Sequence, residues 1–238
     1  MTSIRGNFDQ QLDYLSQQIL RMGSLVDEAI KDAIQALVQR DSDLARQVIN
    51  NDKIINDLRY QVEEQCYILL ATQQPLASDL RRVAATISIV TNMERMADHA
   101  AGVAALSLKL NDEPKLKPYV DLPRMAEIAR DMLHRALDGY ITADAEKAFR
   151  VAKDDQQINQ LDEQVLRELL SYMIEDPRNI RRATYLLWIS HNLERIGDRC
   201  KNICERVVYV ATGELADFDD VSDTSHDTDE HDMTGNMA

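Results

Sequence analysis

The chain has 238 residues, a formal net charge of −14, only seven Gly and five Pro, and few aromatic residues. This composition favours long helices over a turn-rich β fold, and the missing basic surplus excludes nucleic acid as a partner. From Glu214 to Ala238 there are nine acidic residues and no Lys or Arg, so the rest of the chain carries only −5.

The first helix is marked by Phe8, Leu12, Leu15, Ile19, Met22, Val26, Ala29, Ala33 and Leu37, an apolar stripe stepping by three or four. Asp41-Ser42-Asp43 punctuates the chain and offers an N-cap. The second helix carries Leu44, Val48, Ile55, Val62, Cys66 and Leu69 on its inner face and is predicted to end near Gln74-Pro75. A third starts around Ser78 or Asp79 and presents Leu80, Val83, Ile87, Val90, Ala101, Ala105 and Leu108. Every Pro falls at a junction: Pro75 and Pro177 within the halves, and Pro114, Pro118 and Pro123 between them. No segment alternates with period two for long enough to suggest a strand.

The second half repeats the first. Met22, Ile34, Asp41, Ala45, Val48, Asp52, Ile55, Asn56, Leu58 and Val62 recur 103 positions later as Met125, Leu137, Asp144, Ala148, Val151, Asp155, Ile158, Asn159, Leu161 and Val165. Beyond the central turn the offset is 100, matching Arg81-Arg82 to Arg181-Arg182 and Glu94/Asp98 to Glu194/Asp198, which fits a shorter turn in the second half. Two copies indicate a duplicated domain rather than a solenoid. The expected fold is all-α, six helices in two tandem three-helix bundles: 1–111, a linker at 112–123, 124–213, and a disordered acidic tail at 214–238. The opening MTSIRGNFDQQ lacks the apolar core of a secretion signal, and no apolar run reaches membrane-spanning length. Cys66, Cys200 and Cys204 form no disulfide framework. These features predict a cytoplasmic protein.

The most informative residues are acids at helical spacing. NMERMADH (92–99) and NLERIGDR (192–199) each place a Glu and an Asp on one helical face, where like charges repel by a few tenths of a kcal/mol. Glu94 and Asp98 lie on or beside the apolar seam of helix three, and Asp52 is bracketed by Val48 and Ile55, with Asn56 four residues on. Asp155, Asn159, Glu194 and Asp198 repeat the set. Each bundle thus offers three carboxylates and an amide oxygen from two adjacent helices. Carboxylates against a low-dielectric interior must be protonated, paired or metal-bound, and clustered oxygen ligands suit Mg²⁺, Mn²⁺ or iron, less so Zn²⁺. Arg81, Arg82, Arg95, Arg181, Arg182, Arg195 and Arg199 are the candidate cations for a salt-bridge alternative. Arg95 and Arg195 would not face their adjacent Glu, because neighbours along a helix point apart. The spacing leaves metal and arginine pairing open.

A ferritin-like di-iron bundle would need a Glu-x-x-His pair on each of two helices. Here His99 follows Asp98 directly and His191 precedes Glu194 by three, and neither arrangement recurs, so these two and His134 read as surface or boundary packing. Cys200 and Cys204 read as packing, and Met22, Met93, Met96, Met125, Met132 and Met173 as core filler. No nucleophile elbow, phosphate-binding glycine loop or Ser/His/Asp grouping is visible.

The segments QQPLASDLR (73–81), NMERMADHA (92–100), INQLDEQV (158–165) and NLERIGDRCKNICERVVYVATGE (192–214), in this duplicated order, resemble the PhoU family of bacterial regulators of phosphate uptake and phosphate signalling. The resemblance spans roughly residues 8–213. It implies paired three-helix bundles whose acid-x-x-x-Asp motifs bind metal, carried here by Asp52, Glu94 and Asp98, and by Asp155, Glu194 and Asp198. Asn56 and Asn159 stand where the family often has a second Asp, and Ala97 where Gly is common. The implied function is non-enzymatic: negative control of the phosphate-starvation response, as an adapter between the phosphate ABC transporter, notably its ATPase subunit, and a membrane sensor histidine kinase. A homodimer is expected. The competing expectations are a carboxylate-bridged metalloenzyme or metal store, and a helical scaffold whose acids only meet arginines.

Overall fold

The computed structural model describes residues 2–218 and, within them, consists of six long helices with no strand. Helices α1 (Thr2–Gln39), α2 (Ser42–Gln73) and α3 (Ser78–Asn111) form one bundle, and α4 (Asp121–Thr142), α5 (Ala145–Glu175) and α6 (Ile180–Thr212) the other.

The duplicated punctuation is visible in the caps. Asp41 Oδ1 accepts from the backbone N–H groups of Asp43 and Leu44, both at 2.9 Å, and Asp144 Oδ1 accepts from Lys147 N–H at 2.9 Å. Each cap satisfies donors that the first helical turn leaves orphaned, a contribution of about 1 kcal/mol. The turns after α2 and α5 differ as the changed offset requires. Residues 74–77 form an open turn with Gln74 and Ala77 at positive φ, whereas Asp176 caps a 3₁₀ turn, Pro177–Asn179, that runs directly into α6.

The α3 face differs from the one read from periodicity. Val83 and Val90 are buried as expected, but Leu80 is exposed and Ile87, Ala101, Ala105 and Leu108 are only half-buried. The buried positions include Thr86, Ile89, Met93, Met96, Ala97, Ala100, Val103, Ala104 and Ser107. The reason is that α3 packs against α1, α2 and α6 together, so it buries more than one stripe.

Pairs across the interface show how the bundles join. On α3 and α6, His99 Nδ1 and Asn192 Oδ1 are 2.9 Å apart, and Asn202 donates to Asn92 Oδ1 at 3.3 Å, so these helices run antiparallel. On α1 and α4, Arg130 donates two hydrogen bonds to Asp27, at 2.7 and 2.9 Å. Asp27 and Arg130 occupy equivalent positions of the two copies, 103 residues apart. The two helices approach closely here: a Cβ on Gly23 would collide with Leu137 Cδ1. The apolar residues of both bundles consequently form one continuous core.

The linker is fastened from both sides. Arg40 donates to the carbonyls of Asn111 at 2.5 Å and Glu113 at 2.7 Å, Arg182 donates to Pro114 O at 3.0 Å, and buried Lys117 pairs with Glu168. Beyond Gly213, Ala216 and Phe218 pack against the core, with the Phe218 ring edge-on to Phe149 at 5.2 Å. The rest of the acidic tail, 219–238, on which most of the expected disorder falls, lies outside the described residues.

Burial alone would raise the Asp27 carboxyl, but the Arg130 hydrogen bonds and charge, aided by His134 at 3.1 Å, outweigh it and hold its pKa below the ordinary value. A depressed folded-state pKa stabilises above the unfolded carboxyl pKa of about 3.9, and that stabilisation is lost as pH falls through the folded value. Arg130→Ala is therefore expected to cost about 2 kcal/mol at pH 7, lowering Tm by about 4–8 °C, with the deficit shrinking as Asp27 protonates. Thermal unfolding of both proteins at pH 7 and below pH 3 checks this; an equal deficit at both pH values contradicts it.

Candidate functional site

Both sets of acids sit where two helices of one bundle meet, at the edge of the core. In the first bundle, α2 supplies Asp52 and α3 supplies Glu94 and Asp98. Asp52 and Glu94 are half-buried, and Asp98 is exposed. Asn56 donates its amide N–H to Asp52 Oδ2 at 2.9 Å, which leaves Asp52 Oδ1 buried without a hydrogen bond. Arg59 bonds Glu63 at 2.9 Å and places Nε 3.7 Å from Glu94 Oε1. Burial first, and then the Asp98 charge, push the Asp52 carboxyl up; burial and Asp98 do the same to Glu94, against the relief given by Arg59.

The second bundle places the equivalent acids deeper. Asp155 on α5 is only 2% exposed, and it is accommodated because residue 197 is glycine: a Cβ there would stand 2.7 Å from Asp155 Oδ1. Asp155 Oδ2 accepts from Asn159 at 3.2 Å and lies 3.5 Å from Lys201 Nζ, while Oδ1 is buried without a partner. Burial raises the Asp155 carboxyl, Lys201 opposes this, and Asp198 adds repulsion. Arg195 reaches Glu194 Oε2 through Nε at 3.1 Å and Asp198 Oδ2 through Nη1 at 2.9 Å. The Glu194 contact is too misaligned for a hydrogen bond, so that oxygen too is orphaned. Burial, then repulsion from Asp198, push Glu194 up to about 7 despite Arg195.

The structure therefore sets Asp52, Glu94 and Asp98 within electrostatic reach of one another, and likewise Asp155, Glu194 and Asp198. Asn56 and Asn159 each turn their NH₂ to the neighbouring aspartate, acting as donors in this conformation. The cation assignments change more. Arg195 does contact adjacent Glu194, because its long side chain folds back along the helix surface and overcomes the divergence of neighbouring Cα–Cβ bonds. Arg181 pairs with Glu113, and Arg182 is spent on the linker carbonyl and Asn179. Arg59, Glu63, Asp162 and Lys201 are the participants missed from the sequence; Asp162 accepts from Ser190 at 2.6 Å and adds repulsion at Glu194. Arg59 and Lys201 were legible as cations seven residues after Asp52 and three after Asp198, where each returns to the acid's face of its helix. His191 is exposed, as the surface placement expected, with Nδ1 3.4 Å from Glu194 Oε2.

The chemistry of these groups fits a hard divalent cation. Each cluster gathers carboxylates that repel one another, and buried carboxylate oxygens remain unsatisfied. As they stand, no three His, Cys, Asp or Glu side chains among the described residues converge closely enough to enclose an ion. Binding would require carboxylate rotation away from the present Asn, Arg and Lys partners. The cysteines do not compete as ligands: burial pushes the thiols of Cys66 and Cys204 up to about 12, and that of Cys200 well above its usual value.

The sequence profile of the PhoU domain matches the chain twice, at residues 19–106 and 122–207. A phosphate-specific transport system accessory protein PhoU homolog of Clostridium acetobutylicum is 36% identical over 214 residues, which cover 90% of this chain and 98% of that protein. The crystal structure of PhoU from Pseudomonas aeruginosa superposes with a TM-score of 0.83 at 37% identity, covering 87% of this chain and all of that one. The crystal structure of the phosphate transport system regulatory protein PhoU from Streptococcus pneumoniae gives a TM-score of 0.82 at 37% identity, covering 88% of this chain and 99% of that one.

In metal-free protein, a Glu194 pKa near 7 lies far above the unfolded value of about 4.3. A raised folded-state pKa gives stability that is fully present below the unfolded value and is lost as pH rises through the folded one. Stability is expected to fall by about 2–3 kcal/mol between pH 5 and pH 8 from this residue, and Glu194→Gln to remove most of that slope. Urea denaturation of both proteins in chelator across this range is the check; parallel curves contradict the assignment.

Proposed function

Since the chain belongs to the PhoU family, we propose that it is an accessory regulator of phosphate uptake that represses the phosphate-starvation response when phosphate is plentiful. In this reading it works by binding rather than by catalysis, as an adapter between the ATPase subunit of a phosphate ABC transporter and a membrane sensor histidine kinase. The observation that carries the reading is the twofold family match over most of the helical body, with both acid clusters at equivalent positions of the two copies. The described residues contain no helix long and apolar enough to cross a membrane, which suits an adapter working from the cytoplasm. Its long helices offer rigid faces both to partners and to a second copy in a homodimer.

A divalent cation would be held by Asp52, Glu94 and Asp98 in one bundle and by Asp155, Glu194 and Asp198 in the other. When bound it supplies positive charge that cancels the carboxylate repulsion. Across each helix pair the acids meet a cation, Arg59 of α2 beside Glu94 of α3 and Lys201 of α6 beside Asp155 of α5, so the charge balance of each cluster bears on how its two helices pack. A carboxylate-bridged enzyme draws no support from the histidines, since His99 bonds Asn192 and His191 lies beside a single Glu.

The reading is tested in a bacterial strain whose own PhoU-type gene is deleted, with a phosphate-starvation reporter and purified partner proteins. Expression of this chain is expected to restore repression about tenfold or more in high phosphate, and the purified chain to bind the transporter ATPase and the kinase's cytoplasmic region at micromolar concentration. Failure to bind either partner, with and without Mn²⁺, contradicts the adapter role. Restored repression without kinase binding would confine the role to the transporter.

A further inference from the structure

The two acid clusters are equivalent by repeat but not by environment. Position 201 is Lys in the second copy, and its counterpart, position 101, is Ala. Lys201 Nζ sits 3.5 Å from Asp155 Oδ2, and its side chain is only 15% exposed, so an ammonium already stands among the carboxylates of the second cluster. No such group can project from Ala101.

Position 197 differs in the same direction. Gly197 lets Asp155 sink against the backbone of α6, while Ala97 is buried and occupies the corresponding room in the first bundle. Asp52 consequently stays half-exposed and faces a pocket of about 160 Å³ between α1 and α2, lined by Glu28, Asp32, Asn51 and Ala97 among others. The first cluster is thus reachable from solvent, with Asp52 lacking a cationic partner at hydrogen-bonding distance. In the second, Asp155 is sealed and faces a lysine, and Arg195 bridges Glu194 and Asp198.

We propose that Lys201 is a built-in cation of the second cluster, so that the two bundles bind divalent metal unequally and the first fills well before the second. A metal entering the second cluster must displace or repel the ammonium, whereas in the first the cations acting on the acids are Arg59, 3.7 Å from Glu94, and Arg95, and Asp52 bonds only the neutral amide of Asn56. This inference rests on the reading of both clusters as cation sites. It assigns Lys201 a positioning role: it keeps Asp155 compensated and the α5–α6 junction closed when metal is scarce, and leaves the first bundle as the metal-responsive one.

The test is titration of the metal-stripped full-length chain with Mn²⁺, followed by calorimetry and by the EPR signal of free Mn²⁺. Wild type is expected to show one tight and one weaker site, separated by about tenfold or more, a typical coupling between interacting sites. Asp98→Ala should remove the tight class and Asp198→Ala the weak one. Lys201→Ala, which copies Ala101, should tighten the second site about tenfold, and Ala101→Lys should weaken the first by a similar factor. Lys201→Gln, slightly shorter but polar and uncharged, serves where Lys201→Ala proves too unstable. In chelator both Lys201 variants should unfold at lower temperature than wild type, and Mn²⁺ should restore them more than it raises wild type. Two equal sites in wild type, loss of the tight class in Asp198→Ala, or a second site unmoved by both Lys201 variants would each overturn the proposal. Absence of Mn²⁺ binding in every protein, including wild type, would instead reject the clusters as cation sites, and the proposal with them.

Discussion

Carboxylates held against a helix seam need compensation, and this molecule holds more of them there than it has cations to match. Each bundle gathers an Asp from its second helix and a Glu and Asp from its third. The result is raised carboxyl pKa values in both bundles and buried oxygens with no hydrogen bond. A fold optimised for stability alone would replace such groups with apolar residues, since buried charge is more often a cost than a gain. Keeping the arrangement at equivalent positions of both copies is what points to a ligand that supplies positive charge.

The clusters can be held in place because the helices that carry them are fixed from outside. α3 and α6 pack antiparallel against each other, and each also packs against the other two helices of its own bundle. The pairing of Asp27 with Arg130, and of Thr86 with Tyr140 at 2.7 Å, ties the bundles together at further points. Fastening of the linker by Arg40, Lys117 and Arg182 limits how far one bundle can shift relative to the other. A change in one cluster therefore acts on helices that also form the contact between bundles, a physical route by which ion binding could alter the surfaces offered to partners.

Much of this was legible in the sequence. The six helices follow from apolar periodicity, the Asp41 and Asp144 caps, and prolines confined to junctions, and the duplication follows from two constant offsets. The acid clusters follow from the helical spacing of Glu94 and Asp98, of Glu194 and Asp198, and from the repeat of Asp52 at Asp155. What periodicity could not show is that α3 is buried on more than one side, because a helix with three neighbours mixes its stripes and Ala serves in all of them. Cation pairing was harder still, since Arg and Lys side chains reach over several residues and choose partners by tertiary proximity. Arg181 and Arg182 went to the linker, and Arg195 folded back onto Glu194, for that reason. The contrast between Ala101 and Lys201 was visible in the aligned copies, but it acquires meaning only once Lys201 is seen beside a sealed Asp155.

Anomalous diffraction from crystals grown with Mn²⁺, recorded above the manganese absorption edge, locates any ion held by the carboxylates. An anomalous peak is expected between α2 and α3, within about 2.0–2.6 Å of oxygens from Asp52, Glu94 and Asp98, the coordination range of hard divalent cations. No peak at either cluster, with Arg59, Lys201 and Arg195 still occupying the carboxylates at millimolar Mn²⁺, would contradict it and leave the acids as members of a salt-bridge network.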